Sequence, residues 1–277
     1  MARSFKKQLG VAAGIGVLDM GASVVATSGE MHRGLTHKAW QPGPLIEQSS
    51  RFVLWGNGMI RRKWAQAHRR HHEYADIEGD PHSPVLKGMR FIALRNHLEY
   101  RKEVNNISDE DLDADLKPDE YDNAIYDKSK TGLATSFLGH IALNKIAGNP
   151  AYMAGVSWSI GKASYILAGN AVNSLGHGGK NPLKALVTNR ITPHEDGTYG
   201  ADNPVLAALT GGEGNQKFHH EHPESLMFND RKNIVTRSVL DVVGTAATIA
   251  IRAGLGKPSA TPPTPEPASH APIKIAA

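Results

Sequence analysis

The sequence of 277 residues contains no cysteine. Disulfides, thiolate metal sites and iron–sulfur clusters are therefore excluded. Aromatic residues make up only 6% of the chain, and the mean hydropathy of −0.35 is low for an enzyme with several membrane spans. The net charge of +4 and the pI near 9.2 describe a weakly basic protein. Because the sequence shows no nucleic-acid motif, this charge favours an anionic membrane surface over nucleic acid as a partner.

Histidine is frequent, with 14 residues in the chain. The segment 68–82, HRRHHEYADIEGDPH, holds four histidines and four carboxylates. His68, His71 and His72 are spaced i, i+3 and i+4, so one helical turn can point three imidazoles at the same place. Imidazole suits iron, zinc, copper and nickel, and the nearby carboxylates Glu73, Asp76 and Asp80 can hold the outer ring nitrogens. The pattern predicts a metal-binding helix, and the alternative is a histidine-rich surface helix.

Three other segments also contain histidines at spacings that could bind a metal. Residues 216–220, QKFHH, have the same i, i+3, i+4 spacing with glutamine first, and residues 173–177, NSLGH, end an apolar stretch. In residues 32–37, HRGLTH, the two histidines are five apart, about 140° off-face on an ideal α-helix, so we expect His37 just past a helix end. One metal of the zinc type takes only about four ligands. Eight histidines in four segments therefore imply two metals in a shared site.

The segments HRGLTH, HRRHHEYADIEGDPHSP, NSLGH and GEGNQKFHHEHP, in this order and spacing, resemble the histidine boxes of the membrane fatty acyl desaturases of the stearoyl-CoA type. The resemblance covers about residues 10–255, and the second box is its most specific part. It implies a di-iron centre, with two Fe2+ ions and O2 as co-substrate, that removes two hydrogens from an acyl chain. It implies no catalytic residue beyond the metal ligands. The implied ligands are His32, His37, His68, His71, His72, His177, His219 and His220, with Asn173 binding weakly or through water.

Gln216 is the main departure from the family pattern, which usually has histidine there. A neutral amide oxygen is a weaker ligand than imidazole, so we expect one iron to be held less tightly. The resemblance further implies that Asp76, Asp80 and Glu213 support the ligands from behind. His82, the histidine of the DPH sequence, would be structural or lie behind the ligands.

The predicted fold is all-α: a membrane-embedded helical bundle with a cytoplasmic histidine-rich cap. One desaturase-like domain is expected over residues 1–256, with probable spans at about 9–28, 131–149 and 151–172. Residues 9–28 carry Asp19 as the only charge and are long enough to cross a bilayer, although a signal peptide is the competing interpretation. Asn149-Pro150 predicts a turn between the last two spans. The proline-rich tail, 257–277, is predicted to be disordered.

Two charged segments carry further expectations. Residues 45–67 are predicted to form an amphipathic interfacial helix with its basic side toward lipid headgroups. Residues 108–122 are acidic, and Ser108 is a candidate helix N-cap. This acidic run is interpreted as a solvated linker, and the alternative is a surface for an electron donor or acyl carrier.

The resulting hypothesis is an O2-dependent desaturase that acts on a fatty acyl-CoA or acyl-lipid. It would be an integral membrane protein with its active site on the cytoplasmic face. Electrons would come from a separate ferredoxin- or cytochrome-type donor with its reductase. The alternatives are a hydroxylase with the same metal site, which box sequences do not distinguish, and a non-catalytic metal-binding relative.

Overall fold

The computed structural model describes residues 4–259, and helices make up most of it. The prediction of an all-α fold is confirmed. Within these residues one short antiparallel pair joins β1, Trp40–Pro42, to β2, Gly256–Pro258. The α-helices are α1 Phe5–Val25, α2 Pro44–Gly56, α3 Arg61–Glu73, α4 Pro84–Lys87, α5 Met89–Asn106, α6 Ser129–Ile146, α7 Met153–Leu175, α8 Pro182–Thr188, α9 Pro204–Leu209, α10 Gln216–Glu221, α11 Ile234–Val239 and α12 Val242–Arg252.

A bundle of α1, α6 and α7 supports the rest of the chain. α1 and α7 run parallel to each other. They are in close contact because small residues line their interface. A Cβ atom at Gly16 would lie 2.6 Å from the carbonyl oxygen of Ser157, so only glycine permits this approach. The predicted turn at Asn149-Pro150 separates α6 from α7, and Gly148 takes the left-handed conformation that it needs (φ 72°).

One helical segment of the described residues, Phe5–Thr36, is long and apolar enough to cross a membrane. The other two predicted spans correspond to α6 and α7, which are helices of suitable length but not of comparable hydropathy. Large apolar side chains are nevertheless exposed on all three helices, including Leu18 on α1, Leu138 on α6 and Leu167 on α7. The spans at 131–149 and 151–172 stay predictions.

The first histidine box lies on a π-helix, Ala26–Thr36, that continues α1. The N–H of His37 donates to the carbonyl oxygen of His32 at 3.1 Å, an i to i+5 hydrogen bond. The wider turn brings residues five apart to the same side. His37 directly follows the last helical residue, as the spacing predicted.

The prediction of one interfacial helix over 45–67 is wrong. The segment forms α2 and α3, separated by a turn in which Gly58 has φ 73°. Its arginines do not face lipid headgroups, because Arg51, Arg61 and Arg62 are buried. Arg51 has one local partner, Glu47, four residues earlier on α2. The other partners, such as Glu30 for Arg61 and Asp109 for Arg62, are distant in sequence, and no local pattern specifies them.

The acidic run is solvated, as interpreted, because Asp109, Glu110, Asp111 and Asp115 are exposed, but it is bound to the rest of the fold and is not a free linker. Residues 107–128, here called the acidic strap, lie along the outer face of α3. Arg69 reaches Asp113 at 2.7 Å and Asp115 at 2.8 Å, and Arg62 reaches Asp109 at 2.9 Å. The strap also buries Leu112 and Leu116 in an apolar cluster with residues of α3 and α5. Ser108 caps no α-helix: it bonds Asp111, and the strap contains only a 3-10 turn, Ala114–Leu116, and a π-helical turn, Asp122–Tyr126.

The boundary of the predicted disordered tail needs a small correction. Lys257 pairs with Gln41 and Pro258 with Trp40, so the ordered chain extends past residue 256. The backbone of β1 supplies hydrogen-bonding partners that the composition of the tail does not reveal. Residues 260–277 lie outside the described residues.

Candidate metal centre

The four histidine boxes meet at one end of the helical bundle. Their side chains form three groups whose potential ligand atoms, within each group, all lie within 4.8 Å of one another. Two of them hold only histidines, and the third, His71, Asp80 and His82, shares His71 with the second. The first cluster comprises His32, His37, His68, His72 and His219. The second cluster comprises His71, His177 and His220. All eight histidines that the resemblance implied as ligands are in these two clusters.

In the first cluster the Nε2 atoms converge. The Nε2 of His219 lies 3.0 Å from that of His32 and 3.0 Å from that of His72. The Nε2 of His72 lies 3.2 Å from that of His68. Two ligand nitrogens bound at right angles to one metal at about 2.1 Å are about 3 Å apart. The spacing of the first cluster therefore matches that of nitrogens around a single metal ion.

The expectation that His68, His71 and His72 point to one place is wrong in detail. His68 and His72, four residues apart on α3, belong to the first cluster, whereas His71 belongs to the second. Consecutive helical residues point about 100° apart, so neighbouring histidines serve different clusters. His219 and His220 on α10 divide in the same way. The stacked rings of His72 and His220, 4.2 Å between centroids, lie where the clusters adjoin.

Carboxylates hold the outer nitrogens of three histidines, as predicted for their residue types. The Nδ1 of His71 lies 2.9 Å from Asp80 Oδ2, that of His177 lies 2.8 Å from Asp76 Oδ2, and that of His32 lies 2.6 Å from Glu213 Oε2. A carboxylate beside Nδ1 keeps the proton there, so the lone pair of Nε2 faces the cluster. Glu73, the other candidate, is exposed.

Tyr100 is a site residue that the sequence analysis missed. Its buried hydroxyl lies 3.1 Å from Nδ1 of His68, on the side of the ring away from the cluster. Trp64 stacks against both rings, with its ring centroid 4.8 Å from that of His68 and 5.6 Å from that of Tyr100. A usable signal existed, because Ile92, Asn96 and Tyr100 recur every four residues on the buried face of α5.

Burial keeps most of the cluster histidines uncharged. Loss of water lowers the pKa of five of them well below its ordinary value, and neighbouring imidazoles lower it further; these are His37, His68, His72, His219 and His220. His177 differs. Burial alone would lower its pKa, but Asp76 outweighs burial and raises it. Burial would raise the pKa of Asp76, yet the imidazole of His177 holds it below its ordinary value.

Arg33 connects the first box to the last. It is fully buried, and its Nη1 lies 3.1 Å from Glu213, the carboxylate that holds His32. Its Nη2 lies 2.9 Å from Asp241, at the start of α12. The guanidinium also lies 3.6 Å from the ring centroid of Phe228, which packs on His219. The arginine of the HRGLTH box thus holds the carboxylate beside His32 and packs on the ring beside His219.

The donor set fits metal ions rather than an ordinary buried core. The Nε2 atoms of His37 and His220 are buried and have no hydrogen-bond partner within residues 4–259. A buried nitrogen without a partner is costly, and metal binding removes that cost. The all-imidazole donors suit iron, zinc or copper.

Three other predicted residues lie differently. Gln216 is buried beside His177, and its Nε2 donates to the carbonyl oxygen of Glu213 at 2.7 Å. Asn173, on the last turn of α7, donates its Nδ2 to the carbonyl oxygen of Gly169 at 3.0 Å, which is an intrahelical bond. His82 is buried, with its ring centroid 4.4 Å from that of His71 and 4.2 Å from that of Tyr100, which places it behind the second cluster.

The sequence was compared with known proteins. It is 26% identical over 217 residues to an Acyl-CoA Delta(11) desaturase of Spodoptera littoralis, an alignment that covers 73% of this chain and 57% of the relative. The sequence is related to the fatty acyl desaturases. The resemblance that the histidine boxes indicated is therefore confirmed.

Two other relatives of the desaturase group come from distant organisms. A probable acyl-CoA desaturase of Schizosaccharomyces pombe is 26% identical over 221 residues, with 73% of this chain and 39% of the relative aligned. The palmitoyl-monogalactosyldiacylglycerol delta-7 desaturase of Arabidopsis thaliana is 24% identical over 208 residues, covering 68% and 47%. The chain thus spans about half the length of the curated relatives it matches. No family model matches the sequence.

Proposed function

We propose that this protein is an O2-dependent fatty acyl desaturase with a histidine-ligated di-iron centre. The observation that carries the proposal is the convergence of the eight histidines into two adjacent clusters. Residues as far apart as His32 and His219 place their Nε2 atoms 3.0 Å from each other. The names of the relatives agree with this chemistry.

The first cluster would hold one iron and the second cluster, with Gln216, the other. Asn173 would bind weakly or through a water molecule with its amide oxygen, while its amide nitrogen bonds Gly169. Bound iron would supply O2 activation and the two-electron oxidation of the acyl chain.

The protein's own residues would orient the ligands and exclude water. Asp76, Asp80 and Glu213 hold ring protons on Nδ1 and so keep each Nε2 available as a ligand. Phe228 and Trp64 cover the first cluster with rings, which keeps bulk water from a reactive centre. An unactivated methylene must be held close to the metals, and an apolar path for the acyl chain is required for this.

The substrate would be a fatty acyl-CoA or an acyl-lipid, since the relatives include desaturases named for both carriers. We place α1, α6 and α7 in the membrane with the metal centre on the cytoplasmic face. The exposed apolar side chains of these helices support the membrane location. Electrons would come from a separate ferredoxin- or cytochrome-type donor.

Two other functions use the same site. A hydroxylase would need the same metals and differ only after the first hydrogen is removed. A non-catalytic metal-binding relative is suggested by Gln216, but the eight filled histidine positions favour a working centre.

Two measurements test the proposal. Metal analysis of detergent-extracted protein should give two irons per chain, and cells that express it should gain an unsaturated acyl product by mass spectrometry. His71→Ala should abolish the product without preventing membrane insertion. An oxygenated product would favour the hydroxylase. One zinc or no metal would contradict the di-iron centre.

A further inference from the structure

A line of polar side chains crosses the interior of the α1–α6–α7 bundle. It begins at the amino-terminal end of α1, at Gln8, and ends near its carboxyl-terminal end, at Ser23. This distance is about 22 Å along the helix axis. At its start, Asn149 Nδ2 donates to the carbonyl oxygen of Gln8 (3.0 Å) and to Asn144 Oδ1 (3.1 Å), and Asn144 Nδ2 donates to Ser157 Oγ (2.9 Å). Ser157 Oγ then lies 2.9 Å from His140 Nδ1, and His140 Nε2 lies 3.7 Å from Asp19 Oδ2. Finally, Lys162 Nζ contacts Asp19 Oδ2 (3.0 Å) and Asn57 Oδ1 (2.6 Å), and Asn57 Nδ2 donates to Ser23 Oγ (2.9 Å).

The ion pair between Asp19 and Lys162 lies at the centre of this line. Both charges are largely withdrawn from solvent, with 21% and 11% of their side chains exposed. A charge inside an apolar bundle is costly unless it has a partner. Removing one member of the pair leaves the other charge buried and uncompensated, which destabilises the fold. The pair therefore penalises any arrangement of α1 and α7 in which these two residues do not meet.

Because α1 and α7 run in the same direction, their relative axial position affects the separation of the two histidine clusters. Contacts between Gly16 and Ser157, Asp19 and Lys162, and Thr27 and Tyr165 advance together along both chains, so α1 and α7 are parallel. Both run toward the histidines: α1 continues into the π-helix with His32 and His37, and α7 ends two residues before His177. An axial slip of one helix against the other would change the separation of the two clusters directly.

We propose that Asp19 and Lys162 form a register lock: a positioning pair that sets the axial position of α1 against α7 and so the spacing of the first and second clusters. Close packing at Gly16 already disfavours a slip of one turn, about 5.4 Å, because the slip would bring a Cβ atom against Ser157, and the ion pair adds an electrostatic penalty. The effect on the metals rests on the proposed function, but the register itself does not.

Three variants separate positioning from simple loss of stability. Replacing both charges with leucine, Asp19→Leu with Lys162→Leu, removes the lock without stranding a charge, and such replacements often preserve stability. The exchanged pair, Asp19→Lys with Lys162→Asp, restores attraction in reverse. The amide of Asn57 can turn to donate, and a neutral His140 that donates from Nδ1 to Ser157 can accept from the new ammonium at Nε2. Lys145→Leu, at an exposed position on α6, is the matched control.

The first readout needs no metal. The chain has no cysteine, so spin labels can be attached to cysteines introduced only at exposed Val17 and Leu167. The parent, the exchanged pair and the control should give one narrow label distance. The double leucine variant should give a broadened distribution or one shifted by about 5 Å. An unchanged narrow distance in the folded double leucine variant would overturn the proposal.

The second readout reports on the metals. Mn2+ alone is bound to each variant, and magnetic coupling between two bound ions is measured by electron paramagnetic resonance. Coupling should persist in the control and in the exchanged pair and be lost in the double leucine variant. If the double leucine variant does not fold, Asp19→Asn, which removes one charge and keeps the size of the side chain, decides: a broadened or shifted label distance supports the lock, and the native distance refutes it. If the parent binds no metal but the label distances behave as expected, the proposed function fails and the lock stands.

Discussion

Asp80→Asn is expected to empty the second cluster while the first stays loaded. The side chain of Asp80 is fully buried and accepts three hydrogen bonds: from Nδ1 of His71 at 2.9 Å, from the N–H of Asp76 at 2.9 Å and from the N–H of His82 at 3.0 Å. An asparagine keeps only one acceptor oxygen, so its NH2 group must face at least one of these donors. His71 then loses its negatively charged support.

The size of the effect follows from the role of such supports. Loss of the group that holds a ligand imidazole costs about 10- to 100-fold in metal affinity, or about 1.4 to 2.7 kcal/mol. The assay is an equilibrium titration with Fe2+ followed by metal analysis per chain. At an Fe2+ concentration that just fills both clusters of the parent, the variant should retain about half the iron. Glu78→Gln, at an exposed position two residues earlier, is the control and should bind as the parent does. Parental affinity at both clusters in Asp80→Asn, or equal loss from both, would refute the assignment of His71 to the second cluster.

Three further predictions concern other parts of the protein. Tyr100→Phe removes the hydroxyl that holds His68, so it should weaken iron binding at the first cluster by about tenfold and spare the second, as measured in the same titration. Gln216→His should keep or raise iron occupancy of the second cluster, and a loss in metal analysis would show that the glutamine has its own role there. Burial would raise the pKa of Asp115, but Arg69 outweighs burial and holds this pKa below its ordinary value. The acidic strap should therefore resist limited proteolysis from pH 8 to 5 and become susceptible only below about pH 4. Loss of protection near pH 6 would implicate histidine instead.

The sequence by itself determined the parts of the site that depend on local spacing. The i, i+3, i+4 patterns at 68–72 and 216–220 identified the residues that share a helical turn, because the geometry of one turn does not depend on the rest of the fold. The five-residue spacing of His32 and His37 correctly located a helix end. The carboxylates within the second box lie close enough in sequence to reach its histidines, so they too could be proposed in advance.

Only the tertiary structure decided which histidines act together. Neighbours on one turn of α3 belong to different clusters because their partners come from α1, α7 and α10, whose positions depend on packing across the whole chain. Tyr100, the acidic strap and the pair of Asp19 with Lys162 were hidden for the same reason. Each joins residues more than 30 positions apart, and sequence periodicity reports which side of a helix is buried but not what covers it.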